Sequence, residues 1–168
     1  MSSLVQVPAN NRLKSEMASE TLRAGRRLHL RAIGWSMLPT IWPGDVLVVE
    51  NAASQNPGRG DIMLFRCGDR LVAHRVVKSD ASGSVVVQGD AVSQPDAALG
   101  HSDLMGKVIS IQRRTRHMQP RHELPGFSRV VAGVLRRSEW MARALAAAYR
   151  FAQRSKKIFV HRVVPCQN

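Results

Sequence analysis

Short apolar runs separated by turn residues dominate the middle of the chain. Between residues 28 and 111 these runs are rich in β-branched and aliphatic side chains, and Gly, Pro, Asp and Ser lie between them. This rhythm is typical of an antiparallel sheet or a small barrel. It predicts strands near 28–33, 45–50, 61–66, 70–78, 84–89 and 106–113. The turn sequence Cys67-Gly68-Asp69 predicts a tight hairpin between two of them.

The hydrophobic pattern changes on either side of this β-rich region. Residues 1–27 form a polar lead-in, in which Leu13, Met17 and Leu22 indicate a short helix. Residues 114–127 are basic, contain two prolines and predict a linker. The remainder, 128–168, carries a helical pattern from Ser128 to about residue 157. We therefore expect one β-domain, 28–113, with a C-terminal amphipathic helix.

The predicted helix has two distinct faces at about 100° per residue. The apolar face comprises Val131, Val134, Met141, Leu145, Tyr149 and Ala152. The opposing cationic stripe comprises Arg129, Arg136, Arg143, Arg150 and Arg154, flanked by Trp140 and Phe151. Two interpretations stay open: the apolar face packs on the β-domain, or the helix contacts an anionic membrane surface. Both can hold, because the two stripes lie on different faces.

Charge is distributed unevenly along the 168 residues. The net charge is +13, but residues 1–112 hold 12 Lys and Arg against 10 Asp and Glu, whereas residues 113–168 hold 13 against 2. Such an asymmetry indicates an acidic partner for the C-terminal part, either anionic lipid or nucleic acid. Because the sequence contains no visible motif for reading bases, we favour an anionic membrane surface over nucleic acid as the partner.

Composition excludes several other classes of protein. The two cysteines, Cys67 and Cys166, are far apart and form no C-x-x-C pair, so neither a metal knuckle nor a disulfide framework is indicated. We expect no metal and no cofactor. The N-terminus lacks a secretory signal, and no apolar run reaches the roughly 18 residues of a membrane span. These features predict a cytoplasmic protein, with the C-terminal helix as the candidate for peripheral membrane contact.

Three stretches supply residue types that suit nucleophilic catalysis. A serine needs a base to take its proton and donors to hold the oxyanion formed on attack. Ser36 lies in the loop-like stretch 34–41, and His74 lies within a β-rich run whose alternation can turn it away from apolar neighbours. Asp90 and Asp96 follow the next run and can orient the imidazole. Each residue alone is a weak signal.

Their order and wording carry a family resemblance. Residues 34–111 contain, in order, SMLPTI, GD, RGDIMLF, AHRVV, VVVQGDA and GKVISI. These motifs resemble the catalytic core of type I signal peptidases, whose superfamily includes the self-cleaving repressor peptidases. In that family SM-x-P carries the nucleophile, which implies this role for Ser36. Most bacterial members have lysine where this chain has His74, so the chain resembles the endoplasmic-reticulum and archaeal branch, which uses Ser-His with an assisting aspartate. Asp90 or Asp96 is the third member, and we favour Asp90.

The resemblance also implies a fold and a chemistry. It implies the mainly antiparallel, barrel-like β-core of signal peptidases and repressor peptidases, and peptide-bond hydrolysis through an acyl-enzyme. The backbone N–H of Ser36 would contribute to the oxyanion hole. Many bacterial members carry a hydroxyl two residues before the serine, where this chain has Gly34. Met37 and Pro39 are expected to shape the serine loop, and Arg75 is expected to form a structural ion pair.

Three functions follow as hypotheses from this resemblance and from the basic tail. The first is a serine endopeptidase that processes a separate protein or peptide, although the chain lacks the transmembrane anchor that signal peptidases carry. The second is a self-cleaving repressor-like regulator. Because 35 residues precede Ser36, fewer than a helix-turn-helix domain and cleavable linker need, we favour it less. The third is a non-enzymatic protein that binds an acidic partner through its tail.

Overall fold

The structure is a computed structural model, and it describes residues 9–160 except 53–56, 69, 81–82 and 138. Residues 161–168, the end of the predicted C-terminal helix and tail, lie outside this described part. A helix α1 (Ala9–Arg23) precedes five strands, β1 (Leu28–Arg31), β2 (Val46–Asn51), β3 (Ile62–Cys67), β4 (Arg70–Ser79) and β5 (Val85–Gln88). A short 3₁₀ turn (His101–Asp103), β6 (Leu104–Arg113) and β7 (Arg116–Met118) follow. Two helices, α2 (Gly126–Arg137) and α3 (Glu139–Val160), come last.

The seven strands form one sheet in the order β1-β2-β6-β3-β4-β5, with β7 added beside β6, and all pairings described are antiparallel. This confirms the mainly β fold predicted from the apolar runs. The β3–β4 hairpin pairs Cys67 with Arg70, as the turn sequence indicates. Successive residues of β3 point to opposite faces of the sheet, and Ile62, Met63, Leu64 and Phe65 are all buried, so both faces of this central strand are covered.

Three apolar clusters hold the described elements together. The first joins Leu22 of α1 to Val49, Leu64 and Val108 of the sheet, and a second surrounds Phe65. The third is formed by Leu38, Ala91, Leu135 and Ala146. Because Leu38 and Ala91 belong to loops of the β-domain and the other two residues belong to α2 and α3, this cluster attaches the C-terminal helices to the β-domain.

The segment predicted as a linker, 114–127, packs against the sheet. Residues 116–118 form β7, and the carbonyl of Arg121 accepts a hydrogen bond from buried Arg75 at 2.6 Å. Gly60, with a φ of 96°, lies directly beneath His122, and a Cβ at Gly60 would come within 2.4 Å of the His122 carbonyl oxygen. Only glycine permits this backbone conformation together with so close an approach. The two prolines and the basic composition that predict a linker give no indication of this packing.

The C-terminal helical region differs from its prediction in two ways. It consists of two helices, α2 and α3, instead of one helix over 128–157. The buried side agrees with the predicted packing face only in part: Val131 packs against the third cluster and Tyr149 contacts the ring of Trp42, whereas Val134 and Met141 are about half exposed. The buried residues of the two helices are Ala132, Leu135 and Ala146.

Candidate active site

The serine loop connects β1 to β2 and places Ser36 at the edge of the third apolar cluster. Its turns are closed by backbone hydrogen bonds from Leu38 N to Trp35 O, 3.0 Å, and from Ile41 N to Met37 O, 2.9 Å. Leu38 is fully buried and Met37 is a member of the first apolar cluster. The carbonyl of Pro39 accepts a hydrogen bond from the Trp42 indole N–H at 2.8 Å. Met37 and Pro39 therefore contribute to the loop that presents the serine, in line with their predicted structural role.

His74 lies on β4, opposite Met63 of β3, and is buried. The edge of its imidazole faces the ring of Phe65, with 5.8 Å between ring centroids. The Nε2 atom of His74 is 3.0 Å from the Oγ atom of Ser36. The structure thus brings together a serine and a histidine that are 38 positions apart in the chain.

Asp96 completes a hydrogen-bonded chain on the other side of the imidazole. Its Oδ2 atom lies 2.5 Å from His74 Nδ1. A carboxylate at this position accepts the Nδ1–H proton, which leaves Nε2 as an acceptor for the hydroxyl proton of Ser36. The arrangement therefore favours the tautomer that a general base requires.

The preference for Asp90 as the histidine's partner is wrong. Asp90 is 1% exposed, and its carboxylate accepts hydrogen bonds from Arg75 Nε at 2.8 Å, Arg75 Nη2 at 2.9 Å and Thr40 Oγ1 at 2.5 Å. The physical reason lies in the chain path: Asp96 returns alongside β5, where its N–H donates to Val87 O at 2.9 Å, and its side chain reaches the imidazole. The bidentate contact holds Asp90 on the guanidinium instead.

The Arg75–Asp90 pair joins the loops around the site. Arg75 also donates to the carbonyl of Gly60 at 2.9 Å, and both members of the pair are buried. This confirms the structural ion pair expected for Arg75. Thr40 links the serine loop to Asp90 through its hydroxyl, and nothing in the local sequence pattern indicates this role.

Gly89, in the turn after β5, lies against both the serine and the histidine. A Cβ there would lie 2.7 Å from the Ser36 carbonyl oxygen and 3.2 Å from His74 Nε2. The neighbouring Ala91 N–H donates to the same Ser36 carbonyl at 2.8 Å. Glycine at position 89 therefore allows the turn after β5 to pass directly against the serine and the histidine. The glycine before Asp90 was the available signal for this close approach.

Gly34 occupies an open position two residues before the serine. It is exposed, and a Cβ there would meet no atom within 4 Å. Glycine supplies no side-chain donor at this place, so a developing oxyanion depends on backbone N–H groups. The role of the Ser36 N–H in holding that oxyanion stays a prediction.

The C-terminal helices reach the site from outside the sheet. Arg136 of α2 donates from Nε to the carbonyl of Asp90 at 2.9 Å, and Arg143 of α3 lies over the Trp35 ring at 5.4 Å from its centroid. The predicted cationic stripe is therefore not one uniform surface, because Arg136 contacts the β-domain. Arg150 is exposed, and the side chains of Arg129 and Arg154 lie outside the described residues.

Two negative findings concern the residues that the structure describes. Within them, no group of three or more His, Cys, Asp or Glu side chains is arranged to hold a metal ion. In the same part of the chain, no helix combines the length and apolar character needed to cross a bilayer.

Comparison with protein families agrees with the geometry. The family model described as Peptidase S24-like matches residues 6–109, which is more than half of the chain. The chain belongs to the peptidase S24-like family. The matched region contains Ser36, His74 and both aspartates, and it ends before α2. A comparison with curated proteins found no match. Membership indicates a serine peptidase or a self-cleaving regulator, the superfamily expected from the motifs.

Proposed function

We propose that this protein is a serine endopeptidase that hydrolyses a peptide bond in a separate protein or peptide substrate. One observation carries the proposal: Ser36 Oγ, His74 and Asp96 form a continuous hydrogen-bonded chain with separations of 3.0 and 2.5 Å. Membership of a peptidase family supports the same chemistry. The three residues act as nucleophile, general base and orienting carboxylate.

Acylation is the first half of the reaction. Ser36 Oγ attacks the carbonyl carbon of the scissile bond while His74 Nε2 takes the hydroxyl proton. The Asp96 carboxylate, hydrogen-bonded to Nδ1–H, stabilises the resulting imidazolium. The Ser36 backbone N–H contributes to the stabilisation of the oxyanion. Collapse of this intermediate breaks the C–N bond, His74 returns the proton to the leaving amine, and an acyl ester remains on Ser36.

Deacylation reverses the direction of proton transfer. Water attacks the ester carbonyl while His74 accepts one of its protons. The carboxyl product leaves, and the proton returns from the imidazolium to Ser36 Oγ. No redox partner or metal takes part in this balance of atoms and protons.

We further propose that the enzyme acts in the manner of the signal peptidases that pair serine with histidine. Support comes from the SM-x-P serine motif and from histidine at the position where most bacterial members carry lysine. We place the protein in the cytoplasm. In support, Cys67 is exposed and forms no disulfide within the part of the chain that the structure describes, which suits a reducing compartment.

Labelling with a serine-reactive acylating probe, read by intact mass, tests the activity. We expect one adduct on the wild-type chain, and none on Ser36→Ala or His74→Ala. Matched controls are Ser102→Ala and His29→Ala, which change an exposed serine and an exposed histidine and should keep the adduct. Circular dichroism verifies that each variant is folded. An adduct on folded Ser36→Ala, or none on the folded wild type, would contradict the proposal.

Self-cleavage is the second candidate, and the family assignment favours it. Intact mass of the wild-type chain after long incubation distinguishes the two functions. Cleavage within one chain is indicated by a new, shorter species that forms with a half-life independent of protein concentration. This species should be absent in Ser36→Ala. An unchanged mass in a protein that still acquires the probe adduct indicates a separate substrate.

A further inference from the structure

The side of α3 that points away from the β-domain is apolar. At about 100° per residue, positions opposite the buried Ala146 form one continuous strip. We call this strip the outward α3 face; it comprises Trp140, Met141, Ala144, Leu145, Ala147, Ala148, Phe151 and Ala152. All of these residues are exposed, including Trp140 at 82% and Met141 at 51%. No charged residue lies within the strip among positions 139–152.

Helix α2 presents a similar side to solvent. Val130 and Val134 are exposed, and they lie opposite the buried Ala132 and Leu135 on the helical wheel. Soluble monomers seldom expose contiguous apolar surface of this kind unless it binds something.

Arginines lie along one edge of the outward α3 face. Arg143 and Arg150 lie on the wheel between that face and the docked side, and both are exposed. The wider region has the same sign, since residues 113–168 hold 13 basic residues and 2 acidic ones. A strip with an indole and no charge, with arginines at its border, is the pattern of helices that lie in the membrane interface.

We propose that the outward α3 face lies in the headgroup region of an anionic lipid bilayer. Trp140 and Met141 enter the boundary between headgroups and acyl chains, and the flanking arginines face anionic headgroups. Tryptophan suits this depth because its ring is amphipathic. The docked side, with Ala146 in the core and Arg136 on the Asp90 carbonyl, keeps the helices attached to the β-domain.

The distribution of charge favours lipid over nucleic acid. A phosphate backbone is bound by basic side chains at the centre of the interface. Here the centre of the exposed surface is apolar, and the arginines lie at its edge. A membrane surface can contact both the apolar strip and the arginines, since acyl chains contact the strip and anionic headgroups contact the arginines.

The position of the surface has a consequence for the site. Arg143 stacks over Trp35, the residue immediately before Ser36. Because the outward α3 face is opposite the docked side, α3 itself lies between a bilayer and the serine loop, and substrates held at a membrane surface would be about one helix diameter, roughly 10 Å, from that loop. Lipid binding itself does not depend on the proposed peptidase activity, because it is measured directly.

Vesicle flotation of the full chain tests the proposal. We compare vesicles of phosphatidylcholine alone with vesicles that contain about one third phosphatidylserine. Because each basic residue near an anionic surface contributes roughly fivefold in affinity, we expect at least about tenfold stronger binding to the anionic vesicles. Added salt should weaken that preference.

The decisive variant is Trp140→Ser combined with Met141→Ser. It should weaken binding to anionic vesicles by at least about tenfold, because the inserted apolar area is lost. The matched control is Leu13→Ser combined with Met17→Ser, which removes two exposed apolar residues from α1 and should bind like the wild type. Circular dichroism establishes that both variants are folded.

Three results would overturn the proposal. One is a folded wild-type chain that does not float with anionic vesicles. Another is equal binding by the Trp140 and Met141 variant and the wild type. The third is that an oligonucleotide or a second copy of the chain covers the outward α3 face. In that case the wild type would bind nucleic acid or dimerise but would not bind vesicles, and the Trp140 and Met141 variant would lose that binding or dimerisation.

Discussion

Asp90 and Asp96 follow the same strand, yet their replacement by asparagine should have opposite consequences. In Asp96→Asn the amide can donate to Nδ1 of His74, which stabilises the tautomer that carries its proton on Nε2 and cannot accept from the serine hydroxyl. We expect the rate of Ser36 acylation to fall on the order of 10³- to 10⁴-fold. The Asp96 side chain is 35% exposed, so the free energy of unfolding should change by no more than about 1 kcal/mol.

Asp90→Asn perturbs stability instead. The substitution leaves the buried Arg75 guanidinium without its carboxylate, and removal of one partner from a buried pair costs about 3–5 kcal/mol. At roughly 2–4 °C per kcal/mol for a domain of this size, Tm should fall by about 6–20 °C. The folded protein keeps the Ser36–His74–Asp96 chain, so acylation well below Tm should stay within about tenfold of the wild-type rate.

Two measurements on the same three proteins decide between these effects. Labelling kinetics by intact mass give the acylation rate, and thermal unfolding by circular dichroism gives Tm. The reasoning is refuted if Asp96→Asn is labelled at the wild-type rate. It is equally refuted if Asp90→Asn abolishes labelling without a change in Tm.

Two further substitutions test how the surroundings hold the site. Gly89→Ala should reduce the rate of Ser36 acylation at least about 100-fold, because its methyl group would enter the contact between the serine and the histidine. The control is Gly133→Ala, in open space on α2, which should leave the rate unchanged. An active Gly89→Ala would contradict the close packing. Arg136→Gln removes the charged donor from the turn that follows β5 and should lower kcat about 3- to 10-fold with little change in KM. Arg23→Gln, an exposed arginine on α1, is its control, and equal kcat values for the two would show that α2 does not position the site.

Local pattern was sufficient for most of the sheet. Each strand that the apolar runs predicted is present within a few residues, because alternation, β-branched side chains and turn residues act over short stretches of chain. β7 was missed, since Arg116–Met118 is short, polar and stabilised mainly by its pairing with β6.

The site could be predicted only in part. The motifs indicated Ser36 and His74, but the choice of aspartate was wrong, and Gly89 and Thr40 were overlooked.

The β-rich core, the positions of its turns and the serine and histidine needed for nucleophilic chemistry can therefore be predicted from the amino-acid sequence. These features depend on local periodicity and on the reactivity of individual side chains. The choice of carboxylate depends on tertiary contacts, because Asp90 is hydrogen-bonded to Arg75 and the chain that returns beside β5 places Asp96 against the imidazole. The same holds for the C-terminal helices: a helical wheel defines faces, but which face is buried depends on the shape of the surface it meets. Here Leu135 and Ala146 pack against Leu38 of the serine loop, and Val134, Trp140, Met141 and Phe151 remain exposed.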